Sequence, residues 1–506
     1  MSDWDQGRVA HIIPTANHER FLIKVSLTDA LDRTPQLSVN GREIAGSQRG
    51  PIGRFWRFDV EGLDPATEYE LRLADADGKP LCDPWPLRTF PRPEDKAERL
   101  RILAYTCPGG YDGPPLKGKT TFLAMGARRE LLARALSFEP DVLISNGDQI
   151  YWDLKTTFAE LFPEYLEKLW PPFGEPIDTD VPMLHPKNVK TFTAICDYQI
   201  PGLYGASLRS IPAFFLTDDH DLFENDEYHE NGIASLPPDT YGLLGAEQTQ
   251  DLYYPEFLPD PNRPPWLPGT GRAWQATPDC NMSFGTLRYG TLLEALLYDC
   301  RRHVDYKGNA AKILPQWVED WLLARTAAED TAHLIHAPSL PFAYSSGKLG
   351  DWYPDLLDKE TGKLVMYEAK PGWQRGWLHQ HQRLIAALAA QKKRAPVVVQ
   401  GDFHASSAGT VHRSAELEFD NPVHVITGGT LGTGDWVFPS TARGIDPTTS
   451  ELIGIDEVLP PTEKNGFSII DVTPDKMTFR MFTWRPPEPV EAIATLEPAL
   501  VYEIPR

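Results

Sequence analysis

PAFFLTDDHDLFEND (212–226) opens as an apolar run and passes without a break into Asp218, Asp219, His220 and Asp221, with Asn225 a few residues on. The apolar part predicts a buried strand. Acids packed directly behind such a strand are costly unless they have a task. The same pattern recurs three times. DVLISNGDQIYWD (141–153) ends in Asp148, Tyr151 and Asp153, APVVVQGDFH (395–404) in Asp402 and His404, and RILAYTCPGG (101–110) in Cys107 followed by two glycines.

Working outward, TAHLIHA (331–337) is another short apolar run, and helical stretches alternate with these runs. FLAMGARRELLARAL (122–136) places Leu123, Ala127, Leu131 and Ala135 on one stripe. PQWVEDWLLAR (315–325) starts with proline at a plausible first helical position and places Trp317, Val318, Trp321 and Leu322 on one face, and RLIAALAA (383–390) reads as helix. Strands alternating with helices predict an α/β layer architecture. Residues 1–92 differ. WRFDV alternates Trp56, Phe58 and Val60 with polar neighbours, and YELRL does the same with Tyr69, Leu71 and Leu73. Period-2 patterns between Gly and Pro turns predict a small β-sandwich. GLDPATEYELRL resembles a fibronectin type III signature, in which a tyrosine near a strand start ties down a corner. Residues 88–99, RTFPRPEDKAER, fit a linker. The body spans 100–485, with proline- and aromatic-rich insertions at 171–190 and 223–275 that predict lid or binding loops. Strand-like alternation returns from 464, and 486–506 is expected to be a C-terminal tail.

The formal net charge of −22 over 506 residues argues against a phosphate grip on nucleic acid, which needs a basic stripe. An anionic small molecule stays compatible, because a bound cation can dominate a site's field. Five cysteines without a C-x-x-C pair argue against a zinc knuckle and a disulfide framework. The first 25 residues hold no long apolar run and no twin arginine before one, and no stretch approaches bilayer-spanning length. The expectation is a cytoplasmic protein without a membrane span.

Functional groups in layered sheets gather beyond the carboxyl ends of strands. Carboxylates brought together there repel one another, and cations relieve this most simply. Asp, His, thiolate and phenolate suit iron, zinc or manganese, and oxygen-only positions suit calcium or magnesium. His336, near a strand end, reads as a core or supporting histidine, and His424 in VHVIT as structural. The stretch GGTLGTGDW (428–436) lacks G-K-[ST], so it is no P-loop; it reads as a wall of the site.

The order C-P-G-G, G-D-x-I-Y, D-D-H-D, G-D-x-H resembles the calcineurin-like metallophosphoesterase superfamily, and its PhoD-type alkaline phosphatase branch in particular. YDCRR (298–302) with LPQWVEDWL (314–322) is similar to another stretch of that branch. The resemblance covers roughly residues 10 to 440. It implies a four-layer αββα sandwich preceded by a fibronectin III-like β-sandwich. It implies a first metal, iron in that branch, on Cys107, Tyr151, Asp148 and His404. It implies a second, calcium there, on Asp219 and Asp402, with Asp148 bridging and Asn225 as a further ligand. A hydroxide bridging metals about 3.5–4 Å apart would then attack a phosphate monoester or diester. His220 would stabilise charge or protonate the leaving oxygen, with Asp218 or Asp221 orienting its ring, and Arg301 or Arg302 would contact a phosphate oxygen. The chain departs from the branch in lacking an export signal, in carrying Thr217 where tryptophan is more usual, and in its two insertions. Competing readings are a sulfate or carboxylic ester hydrolase using the same metals, and a non-catalytic binding module. Oligomeric state is not readable.

Overall fold

The computed structural model describes the chain except residues 1–3, 153–163, 165–166, 169–171, 224–227, 230–231, 234–239, 261, 263–283, 346, 359 and 367–368. Asp153, Asn225, Trp266 and Trp274 therefore lie outside the described residues, as does the side chain of Tyr228.

Two large sheets form the body. The first has the strand order 213–216, 142–146, 100–105, 465–472, 476–484, 500–505. The second has the order 284–289, 293–298, 333–338, 396–400, 417–428, 406–414, 453–462. Strands 100–105, 142–146 and 213–216 are mutually parallel, and so are 293–298, 333–338, 396–400 and 417–428. Each sheet is completed by antiparallel strands.

Alternation of side chains along a strand produces the layers. Ile102 and Ala104 join Ile335, Ala337, Val397 and Val399 in one core between the sheets. Their neighbours Leu103 and Tyr105 face the other way, into a core shared with Leu131 and Ala135 of the helix Met125–Leu136. On the far side, Leu334 and Val398 pack against Val318, Trp321 and Leu322 of helix Gln316–Ala328 and Leu384, Ile385 and Leu388 of helix Arg375–Ala389. The result is helix, sheet, sheet, helix, the expected αββα order. Pro315 is the cap residue of its helix rather than its first member. Trp317, expected inward, is 47% exposed, because the buried stripe runs 318, 321, 322, 325 and Trp317 falls outside it.

Residues 9–88 form two four-stranded sheets, ordered 9–16, 20–27, 55–61, 47–49 and 42–45, 36–39, 68–74, 85–88. Tyr69, Leu71 and Leu73 point inward while Glu68, Glu70 and Arg72 are exposed. The Tyr69 hydroxyl accepts the Asp64 backbone N–H at 2.7 Å, tying the corner down. Strand 20–27 is buried on both faces because its second face meets the body: Lys24 pairs with Glu256 at 2.5 Å. The segment read as a linker packs as well, since Phe90 is buried against Phe214 and Tyr289. Residues 486–506 are more than a tail, because Leu500–Pro505 adds an edge strand to the first sheet. The insertion at 223–275 contains the helix Thr240–Tyr253, so it is not simply a loop.

Candidate metal centre

Five of the seven parallel strands deliver the candidate polar groups from their carboxyl ends. Strand 100–105 leads to Cys107, 142–146 to Asp148, 213–216 to Asp218 and Asp219, 293–298 to Arg301, and 396–400 to Asp402 and His404. The strand ends are laced together. Asn146 Nδ2 donates to the carbonyls of Pro338 at 2.9 Å and Val399 at 3.0 Å, crossing from one sheet to the other. Thr106 Oγ1 donates to the Asn146 carbonyl at 2.5 Å and accepts the Asp402 N–H at 3.0 Å.

Cys107, Asp148, Asp402 and His404 all adopt left-handed φ, between 47° and 62°. Non-glycine residues rarely adopt this region, and such strain persists where the surroundings impose it, often at functional sites. The loop of Gly432 shows how close the fit is. A Cβ there would lie 2.3 Å from the Gly109 carbonyl oxygen, and the Gly432 N–H donates to the Cys107 carbonyl at 2.8 Å. The glycine-rich stretch is thus the wall behind Cys107.

Among the described residues, potential ligand atoms fall into three overlapping groups, within each of which all atoms lie within 4.8 Å of one another: Cys107, Asp148 and His404; Asp148, Asp219 and His220; and Asp148, Asp218, Asp219 and Asp402. Asp148 belongs to all three, the position required of a bridging ligand. Tyr151 joins the first group, its hydroxyl donating to Asp148 Oδ2 at 3.1 Å and lying 3.3 Å from His404 Nε2. His404 Nδ1 donates to the Val437 carbonyl at 3.1 Å. That bond fixes the tautomer and turns Nε2 toward Cys107 and Asp148, as a metal-ligating histidine requires. Asp148 Oδ1 and Asp218 Oδ2 are buried without a hydrogen-bond partner. Buried acceptors left unsatisfied are rare, and a cation bound there would satisfy them.

Electrostatics point the same way. Burial, reinforced by Asp219 and Asp402 and opposed by His220, lifts Asp148 to about 8. Burial also raises the Cys107 thiol and the Tyr151 phenol well above their ordinary values, with Asp148 adding to both. Burial depresses His404 to about 3, keeping its imidazole neutral. Asp219 goes the other way: burial raises it, but Lys348, His220 and Arg301 outweigh that and hold it well below the usual carboxylate range. A multivalent cation would reverse the acids' upward shifts, so this donor set fits a metal.

The remaining candidates sort clearly. His220 lies against the Tyr151 ring, with centroids 4.1 Å apart and planes tilted by 34°, and belongs to a ligand group itself. Asp218 accepts from Arg301 Nε at 3.1 Å and Ser339 Oγ at 2.7 Å. Asp221, expected with Asp218 as an alternative to orient His220, is engaged by the neighbouring backbone. Its Oδ1 accepts the N–H groups of Gln149 and Ile150 and the Tyr254 hydroxyl, and its Oδ2 accepts the Asp218 N–H, so both oxygens clamp the ligand loops. Arg301 and Arg302 are both buried. Arg301 bridges Asp218 and Asp402, whereas Arg302 turns to Gln250 and Asp299. His336 lies in the outer core between the hydroxyls of Tyr298 and Thr326, and His424 meets Tyr502. Sequence reading missed Lys348, whose ammonium contacts Asp402 and lies 4.0 Å from Asp219. It also missed Ser339. Ser339 directly follows strand 333–338, so the strand-end rule could have found it. Lys348 stands ten residues beyond that strand, where the rule has no reach.

No protein-family model matches the chain, and no curated protein matches it by sequence. Among solved structures, that of PhoD is similar over 94% of this chain and 86% of its own, at a TM-score of 0.61 and 14% identity. A purple acid phosphatase from yellow lupin (Lupinus luteus) seeds is similar over 99% of this chain and 75% of its own, at a TM-score of 0.57 and 11% identity. By its architecture, the chain shares the fold of these two proteins.

Proposed function

We propose that the chain is a metal-dependent phosphoesterase acting on small phosphate monoesters, diesters or both. The observation that carries this reading is the convergence of Cys107, Asp148, Asp219, His220, Asp402 and His404, from both sheets, on one buried point. Cys107, Asp148, Tyr151 and His404 would hold one metal, and Asp148, Asp219 and Asp402 a second, with iron and calcium assigned by resemblance. Metals bound there would make water reactive near neutral pH and polarise phosphoryl oxygens.

The protein's own groups account for the rest. The His404–Val437 bond and the clamp of Asp221 hold the ligands in place before substrate arrives. Pre-organisation of this kind is the main way a protein assists such chemistry. His220, His404 and Lys348 are each 8% exposed while Asp148, Asp218 and Asp219 are fully buried, so solvent reaches the centre past these three side chains. His220 on that side is placed to give a proton to the departing oxygen. The insertion at 223–275 supplies Tyr254 to the Asp221 clamp and is read as shaping the substrate side. Residues 1–92 are read as fibronectin III-like on their two four-stranded sheets and the Tyr69 corner.

The test is metal analysis of the purified protein with hydrolysis of p-nitrophenyl phosphate, bis-p-nitrophenyl phosphate and matched sulfate and carboxylic esters. Asp148→Asn and His404→Ala should each lower phosphate ester turnover more than about 100-fold and reduce bound metal. Parent-rate hydrolysis by both variants would sink the assignment.

A further inference from the structure

The two kinds of ligand group are not equivalent. Cys107 and His404 bring a thiol and an imidazole to Asp148, whereas Asp148, Asp218, Asp219 and Asp402 offer only carboxylate oxygens. Two of the protein's own cations already engage the carboxylate group. Arg301 donates to Asp218 Oδ1 at 3.1 Å and Asp402 Oδ2 at 2.6 Å. Lys348 donates to the same Asp402 oxygen and lies 4.0 Å from Asp219 Oδ2. Lys348 arrives on a tethered loop. Arg301 Nη1 holds the Gly350 carbonyl at 2.7 Å, Ser345 donates to Asp351 at 3.1 Å, and Lys370 pairs with Asp351 at 2.7 Å. Its ammonium is therefore delivered to Asp402 by the loop's own anchors.

Resting on the metal reading above, we propose that Lys348 is a built-in competitor for the oxygen-only metal position. The Cys107–Asp148–His404 position holds its metal tightly. At the Asp219–Asp402 position an incoming ion meets the repulsion of an ammonium already paired with Asp402, so the second metal is weakly held and exchangeable. Arg301 and Lys348 both donate to Asp402 Oδ2, so a metal taking this carboxylate is held beside two positive charges. Like charges a few ångströms apart in a buried site interact strongly enough to set the affinity of the later arrival. Activity that depends on the second metal would then follow its free concentration.

The experiment uses the full chain, stripped and then titrated with manganese, with binding followed calorimetrically and retained metal measured after dialysis. The parent should keep one equivalent through dialysis and take up the second with clearly lower affinity. Lys348→Met should tighten the second step at least about tenfold while leaving the first unchanged, the scale of removing one charge from the position. Lys348→Gln serves the same purpose if the methionine variant does not fold. Two equivalents of equal affinity in the parent, no binding at all, or an unchanged second step in the variants would overturn the proposal. Because the readout is metal occupancy, an inactive protein showing this asymmetry would sink the phosphoesterase reading and leave the role of Lys348 standing.

Discussion

Asp221 illustrates how a residue in the right motif can hold the site without joining it. Its carboxylate is buried and satisfies three backbone N–H groups and the Tyr254 hydroxyl. Removing it leaves four donors unpaired away from water, each a real cost. Asp221→Ala should destabilise the fold by about 2–4 kcal/mol. Thermal or denaturant unfolding measures this, and an unchanged midpoint would show that the clamp is not what holds the loops after strands 142–146 and 213–216. Asp148 and His404 belong to the opposite class. Their left-handed backbones and aimed side chains store strain for binding, so their loss should show in metal content and turnover before it shows in stability.

At the scale of elements, the site depends on how closely the loop of residues 428–436 approaches the loop after strand 100–105. Gly432 is the contact: its N–H bonds the Cys107 carbonyl, and no side chain fits between them. Gly432→Ala should push the Cys107 loop away, costing about 1–3 kcal/mol as an overpacked contact does. It should also weaken metal retention although no ligand is altered. Dialysis-resistant metal measured beside the unfolding midpoint checks both halves; normal retention with normal stability would contradict the argument. The strand ends themselves were legible from sequence, since an apolar run followed at once by acids states both the strand and its edge. Lys348 was not, because a long loop carries it to the site and only the loop's anchors say where it goes.

Across the whole molecule, the N-terminal sheets are not a separate bead. Val9, Phe21 and Trp56 lie in the same continuous core as Ile102 and Val397, and Lys24 on strand 20–27 is buried against Glu256. Breaking one half of a buried pair leaves an uncompensated charge. Lys24→Met should cost about 3–5 kcal/mol, and adding Glu256→Leu should recover much of it. A double-mutant cycle by unfolding gives the coupling, and simple additivity would refute it. Buried neutral histidines set the acid limit. Burial lowers His11 and His336 to about 3 and His381 to about 4. The unfolded chain binds these protons near pH 6.5 and the folded one does not. The share of stability due to these three histidines is therefore full above about pH 6.5 and falls as pH drops toward 4, on the order of 1 kcal/mol per unit for each, whereas Asp148, lifted to about 8, contributes in the opposite sense. Unfolding midpoints of the parent and of His336→Gln across pH 4–7 test the sign by difference, and identical slopes would mean that this ring is protonated in the fold.

The sequence by itself determined the strands of the parallel core, the helices that cover them, and the polar groups at the strand ends. Period and polarity specify these locally, and a parallel strand has one end at which side chains can meet. Only the tertiary structure decided which acids share a point, that Asp221 clamps while Asp218 faces Arg301, that Arg301 and Arg302 part company, and that Lys348 joins the cluster. It also turned a segment that reads as a linker into packed structure. Those outcomes depend on which surfaces the layers press together, and burial is a property of the neighbours that no run of adjacent residues contains.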